Sequence, residues 1–113
     1  MSQITTHVLD TSRGRPARGL RVTLTRQDGD NRVELGAGAT DDDGRVSDLL
    51  APDTILPAGR YKLTFDTGGY YDACNTPCFY PRVEVLFGIA GDGQHYHMPL
   101  LLSPFGYSTY RGS

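Results

Sequence analysis

What this sequence has little of narrows it first. Tryptophan is absent, lysine occurs once, at Lys62, and only two cysteines stand among 113 residues. Cys74 and Cys78 enclose Asn-Thr-Pro, which is neither the Cys-x-x-Cys redox spacing nor half of a zinc site with a second pair elsewhere. They are expected to be two loop thiols; a disulfide is the alternative, and Pro77 restricts the approach it would need. No run nears the eighteen apolar residues of a membrane span. The opening Met1-Ser2-Gln3-Ile4-Thr5-Thr6-His7 has neither the basic nor the apolar segment of a secretion signal, so the expectation is a cytoplasmic protein with no membrane partner. An excess of one charge is also missing. Eleven basic and thirteen acidic residues leave a net charge of −2, dispersed along the chain, which makes nucleic acid a poor partner.

Helical patterning is the next absence: no window of a dozen residues shows an apolar stripe at helical spacing. Glycine and proline supply 21 of the 113 residues, and Leu, Ile, Val and Phe only 25. That composition suits one small domain over residues 1–113, built from short strands and tight turns. Such a chain closes one core but keeps little material to wall a deep pocket, so any pocket is expected to draw on neighbouring chains.

Alternation with period two is what the sequence does have. Strands are expected at residues 4–9, 20–26, 33–40, 60–66, 82–87, 94–102 and 107–112, with a short one at Arg45-Val46. The Gly- and Pro-rich stretch 10–18 reads as a loop, Ser103-Pro104-Phe105-Gly106 as a tight turn, and residues 69–76 as a helix of about two turns stopped by Pro77. Seven or eight strands in so small a chain imply an all-β sandwich of two antiparallel sheets with one short helix.

All three histidines fall on expected strands. His95 and His97 flank Tyr96, and residues two apart on a strand share a face, with Cα atoms about 6.6 Å apart. With His7 they permit a three-histidine zinc site, although no fourth ligand has a telling spacing. The other chemical reading is a metal-free hydrolytic site, in which an imidazole takes a proton from water while another group steadies developing negative charge. No Gly-x-Ser-x-Gly elbow is present, which favours activated water over a covalent nucleophile. Ten arginines against one lysine fit a compositional bias, with one or two left to grip a planar anionic ligand. The terminal Tyr107-Ser108-Thr109-Tyr110-Arg111-Gly112-Ser113 keeps strand propensity to its end. A packed terminus is therefore expected, with Gly112 allowing a close backbone approach.

Four segments carry a resemblance. Thr6-His7-Val8-Leu9-Asp10 with Gly14-Arg15-Pro16, Asp43-Gly44-Arg45, the run from His95-Tyr96-His97 to Ser103-Pro104, and Tyr110-Arg111-Gly112-Ser113 resemble the 5-hydroxyisourate hydrolases. These are the enzymatic branch of the transthyretin-like proteins. The resemblance spans the whole chain and departs at Gly68-Gly69-Tyr70-Tyr71, where Gly-Asp-Tyr-Phe is more usual. It implies a transthyretin-like two-sheet sandwich and a homotetramer, a dimer of dimers with sites in the channel between them. It also implies cofactor-independent hydrolysis of 5-hydroxyisourate, a product of urate oxidation, to 2-oxo-4-hydroxy-4-carboxy-5-ureidoimidazoline. Carried over by position, the catalytic residues are His7, Arg45, His97 and Ser113, with Tyr110 and Arg111 shaping the substrate site. His95 is left to line the channel mouth or bind adventitious zinc. The alternative within the same fold is a carrier of a small hydrophobic ligand; carriers of that kind lack the terminal tetrapeptide and the histidine and arginine set.

Overall fold

The computed structural model of the chain describes residues 2–112. Two sheets face each other across one core. The first has the order β2-β1-β8-β9, from β1 (Ile4–Asp10), β2 (Arg15–Pro16), β8 (Tyr96–Ser103) and β9 (Gly106–Thr109), and β5 (Arg45–Val46) also pairs with β1. The second has the order β4-β3-β6-β7, from β3 (Arg21–Asp28), β4 (Asn31–Ala39), β6 (Gly59–Phe65) and β7 (Val83–Ile89). The helix α1 spans Thr67–Ala73.

The period-two pattern explains the core. Val22 and Leu24 of β3 and Tyr61, Leu63 and Phe65 of β6 turn inward from the second sheet; Ile4, Val8, Leu100 and Leu102 meet them from the first. Burying each aliphatic side chain of this kind stabilises the fold by about 1.5–3 kcal/mol. The intervening Arg21, Thr23 and Thr25 are exposed or half-buried, giving β3 one wet face.

Three details differ from the sequence reading. The stretch 10–18 is not all loop, because Leu9 pairs with Pro16 and Asp10 with Arg15, making the two-residue β2, too short to show a period. The sheets are not wholly antiparallel, since β1 runs parallel to β8 from the Ile4↔Tyr96 pair to Asp10↔Leu102. A parallel pair needs a long crossover, and here the entire second sheet supplies it. The helix is stopped by Asn75 rather than Pro77. Asn75 adopts a left-handed φ of 55°; its N–H donates to Asp72 O and that of Thr76 to Tyr71 O, both at 3.0 Å. That paired arrangement satisfies the last free carbonyls of the helix. At the other end, the Asp66 carboxylate accepts from Gly69 N–H at 3.0 Å and caps the first turn.

Helix and first sheet are joined through one buried carboxylate. Asp10 is fully buried and accepts from the hydroxyls of Tyr70 at 2.9 Å and Tyr71 at 3.3 Å, and from Ser12 Oγ at 2.6 Å. Burial and the carboxylate push the Tyr70 phenol well above its ordinary range and that of Tyr71 to about 12. Asp10→Ala removes the acceptor and strands two buried hydroxyls, an expected loss of about 3 kcal/mol. Urea unfolding should show a lower midpoint at unchanged slope, with Asp10→Asn intermediate.

Candidate active site

Arg45 is placed by the turn before it. The Asp41 carboxylate accepts from the N–H groups of Asp43 and Arg45, both at 2.9 Å, and these bonds, with that of Arg45 first, hold its pKa below the usual value. Gly44 has φ 77°, and a Cβ there would lie 2.3 Å from Val8 O, so only glycine lets the turn press against β1. The Val8 N–H donates to Gly44 O at 2.7 Å, and the pairs His7↔Arg45 and Thr6↔Val46 follow. The run of three aspartates is thus a built corner that delivers an arginine beside a histidine. Among the described residues the Arg45 side chain makes no salt bridge.

His97 comes from the other flank of β1, where its Cα partner is Thr5. Thr5 Oγ1 lies 2.8 Å from His97 Nδ1 and 3.0 Å from His95 Nε2. The two imidazoles lie 6.4 Å apart and 18° from parallel. They share a face as their spacing implies, although β8 begins only at Tyr96 and His95 stands exposed before it. Burial, then the positive fields of Arg45, His95 and His7, lower the pKa of His97 below its ordinary 6.5. At neutral pH it is an uncharged ring that can accept a proton.

Arg45, His95 and His97 line one cleft of about 260 Å³ with Thr5, Val46 and Ser47. His7 stands just beyond this lining. Its Nε2 donates to the Asp43 carbonyl at 2.8 Å, which puts the ring proton on Nε2 and leaves Nδ1 open in the neutral form. The three histidines do not converge as a zinc site: among the described residues no three His, Cys, Asp or Glu side chains are grouped to hold a metal ion. Cys74 and Cys78 are both free.

The end of the chain behaves differently from the sequence expectation. β9 stops at Thr109, and a single bridge pairs Gly112 with His97, the Gly112 N–H donating to His97 O at 2.7 Å. A Cβ on Gly112 would fall 2.8 Å from His97 Cδ2, so the glycine is the close approach that the sequence suggested. Tyr110 and Arg111 do not reach the Arg45–His97 cleft of their own chain. They line a second one of about 250 Å³ against Phe87, Tyr96 and Met98. Arg111 stacks 4.5 Å over the Tyr96 ring and donates to Gln94 Oε1 at 2.9 Å, contacts that turn it away from Arg45. Ser113 lies outside the described residues. The groups missed from sequence are Thr5 and Ser47; Thr5 sits two residues before His7 on the same strand face, a signal that was present but mute without its partner.

Comparison with known proteins adds four results. The model of the HIUase/Transthyretin family matches residues 4–112. The 5-hydroxyisourate hydrolase of Mus musculus is 49% identical over 114 residues, covering 99% of this chain and 96% of the mouse protein. Among solved structures, Klebsiella pneumoniae 5-hydroxyisourate hydrolase superposes with a TM-score of 0.86 at 40% identity, covering 97% of this chain and 98% of that one. Sea bream transthyretin in complex with thyroxine superposes with a TM-score of 0.90 at 30% identity, covering 98% and 95%.

Proposed function

This chain belongs to the HIUase/Transthyretin family, and from that premise we propose that it is a hydrolase of 5-hydroxyisourate rather than a ligand carrier. The fold does not separate the two, because a hydrolase and a thyroxine-bound transthyretin both superpose on it, with TM-scores of 0.86 and 0.90. The observation that carries the proposal is the pairing, in one cleft, of a neutral imidazole, His97, with the Arg45 guanidinium. A carrier has no use for that pair; the higher identity to the hydrolases points the same way.

The reaction follows from the groups present. His97 takes a proton from water as the oxygen attacks the ring carbonyl of the substrate. The guanidinium fork of Arg45 holds the carbonyl oxygen while negative charge gathers on it. The carbon–nitrogen bond of the six-membered ring breaks, the leaving nitrogen receives a proton from His97, and 2-oxo-4-hydroxy-4-carboxy-5-ureidoimidazoline results. His7 and Ser113 orient the substrate and the water. Tyr110 and Arg111 act from behind, tying the last residues to β8 so that Gly112 stays against His97. The scheme uses no cofactor or metal.

We also infer a homotetramer. The cleft is shallow, and Phe105 in the turn joining β8 to β9, Tyr107 on β9, and Phe79, whose N–H donates to Pro104 O of that turn, are 71%, 43% and 68% exposed. Phe79, Tyr80 and Tyr107 stack edge to face at 5.0 and 5.2 Å. An exposed aromatic cluster beside the open strand edge β9 suits a partner chain. Among the described residues no helix is long and apolar enough to cross a membrane, and the proposed location is the cytoplasm.

The test is to identify the product formed in ¹⁸O-labelled water. Stoichiometric incorporation of one ¹⁸O into a new carboxylate, faster than in a protein-free control, is expected. A carrier leaves the spontaneous course unchanged or slows it.

A further inference from the structure

The Thr5 hydroxyl lies between two imidazoles, and the scheme above does not use it. It has one proton to give and can accept from an N–H, while each flanking ring nitrogen can be donor or acceptor. A satisfied chain therefore has two forms. In one, His97 Nδ1–H donates to Thr5 Oγ1 and the Thr5 hydroxyl donates to His95 Nε2, which leaves His97 Nε2 as a bare lone pair. In the other, His95 Nε2–H donates to Thr5 and Thr5 donates to His97 Nδ1, which leaves His97 Nε2 carrying a proton. The hydroxyl ties the tautomer of His97 to that of His95, and His95 is exposed to solvent.

We propose that Thr5 and His95 are positioning residues that relay protons between His97 and solvent, switching His97 Nε2 from proton acceptor to proton donor within one hydrolytic cycle. The proposal rests on the hydrolase reading. Water gives a proton to His97 Nε2 as its oxygen bonds to the ring carbonyl. The Nδ1 proton then moves to Thr5 while the hydroxyl proton moves to His95 Nε2, and His95 releases its Nδ1 proton to solvent. His97 is now neutral with a proton on Nε2. As the carbon–nitrogen bond breaks, that proton passes to the leaving nitrogen. In the same step the chain runs back, His95 Nε2–H giving its proton to Thr5 and the Thr5 hydroxyl giving its own to His97 Nδ1, so that His97 stays neutral, and His95 regains a proton from solvent at Nδ1. The relay returns to its first form with no net proton used, and the new carboxylic acid ionises by releasing one proton to water. Thr5 is 7% exposed, so water does not readily replace its hydroxyl between the rings.

The experiment compares Thr5→Val, Thr5→Ser and His95→Ala with the wild-type protein in dilute buffer. Valine matches threonine in volume without the hydroxyl, and His95 is exposed, so these changes spare the fold. Thr5→Val and His95→Ala should each lower kcat about tenfold or more with KM little changed, while Thr5→Ser retains the rate. Imidazole in the buffer should restore part of the His95→Ala rate, which a purely structural role would not allow. Thr5→Val/His95→Ala should be no slower than the slower single variant, because the two groups act in series. An active wild type with Thr5→Val and His95→Ala at full rate, or a double variant whose losses multiply, overturns the relay alone. An inactive wild type removes the hydrolase reading, and the relay with it.

Discussion

His97→Asn is expected to lower kcat by about 100-fold or more, the range lost when a positioned general base is removed. Asparagine preserves approximate size and a polar contact to Thr5 but cannot accept a proton, so the loss isolates proton transfer from packing. The wild-type pH profile should carry the same signature. Burial, then the charges of Arg45, His95 and His7, disfavour the protonated ring and lower its pKa. A base with a lowered pKa stays deprotonated further into acid. The rate should therefore hold as pH falls to 6.5 and decline only below it. In His97→Asn that acid limb should disappear from whatever rate survives. Steady-state kinetics across pH, following the ultraviolet decay of freshly generated 5-hydroxyisourate, reads both effects.

Arg45→Lys should cost about 100-fold or more in kcat, although the charge is kept. A lysine ammonium is a point charge on a flexible stem, whereas the guanidinium presents several N–H donors in a fixed plane. If Arg45 binds the oxygen only where negative charge develops, kcat and kcat/KM fall together with KM nearly unchanged. The turn itself should survive, because Asp41 is bonded to the backbone N–H of residue 45 and not to its side chain. A thermal midpoint close to that of the wild type would show as much.

The two-sheet sandwich was legible because its strands alternate cleanly: Leu20, Val22 and Leu24 sit at full burial with wet residues between them. β2 was not legible, because two residues, Arg15 and Pro16, cannot display a period. Nor was the parallel pairing of β1 with β8, because alternation reports a face and not a neighbour. The helix ends at Ala73, three residues before the expected 76, Asn75 having taken the left-handed position before Pro77 could act. For the site, the spacing of His95 and His97 and the Asp-Gly-Arg corner carried real information, and the resemblance supplied the roles. What no sequence pattern contains is register. Thr5 becomes a bridge between two imidazoles only because β1 and β8 pair Thr5 with His97. Sequence adjacency likewise carries no placement: Tyr110 and Arg111 line a different cleft of their own chain from the one that holds Arg45 and His97.

The most direct test of the central claim is the number of turnovers per chain when 5-hydroxyisourate is supplied in large excess over purified protein. Complete conversion at a rate proportional to protein concentration, abolished by combining His97→Asn with Arg45→Lys, is the predicted result. Decay at the spontaneous rate, or an effect that saturates at one substrate per site, would contradict it.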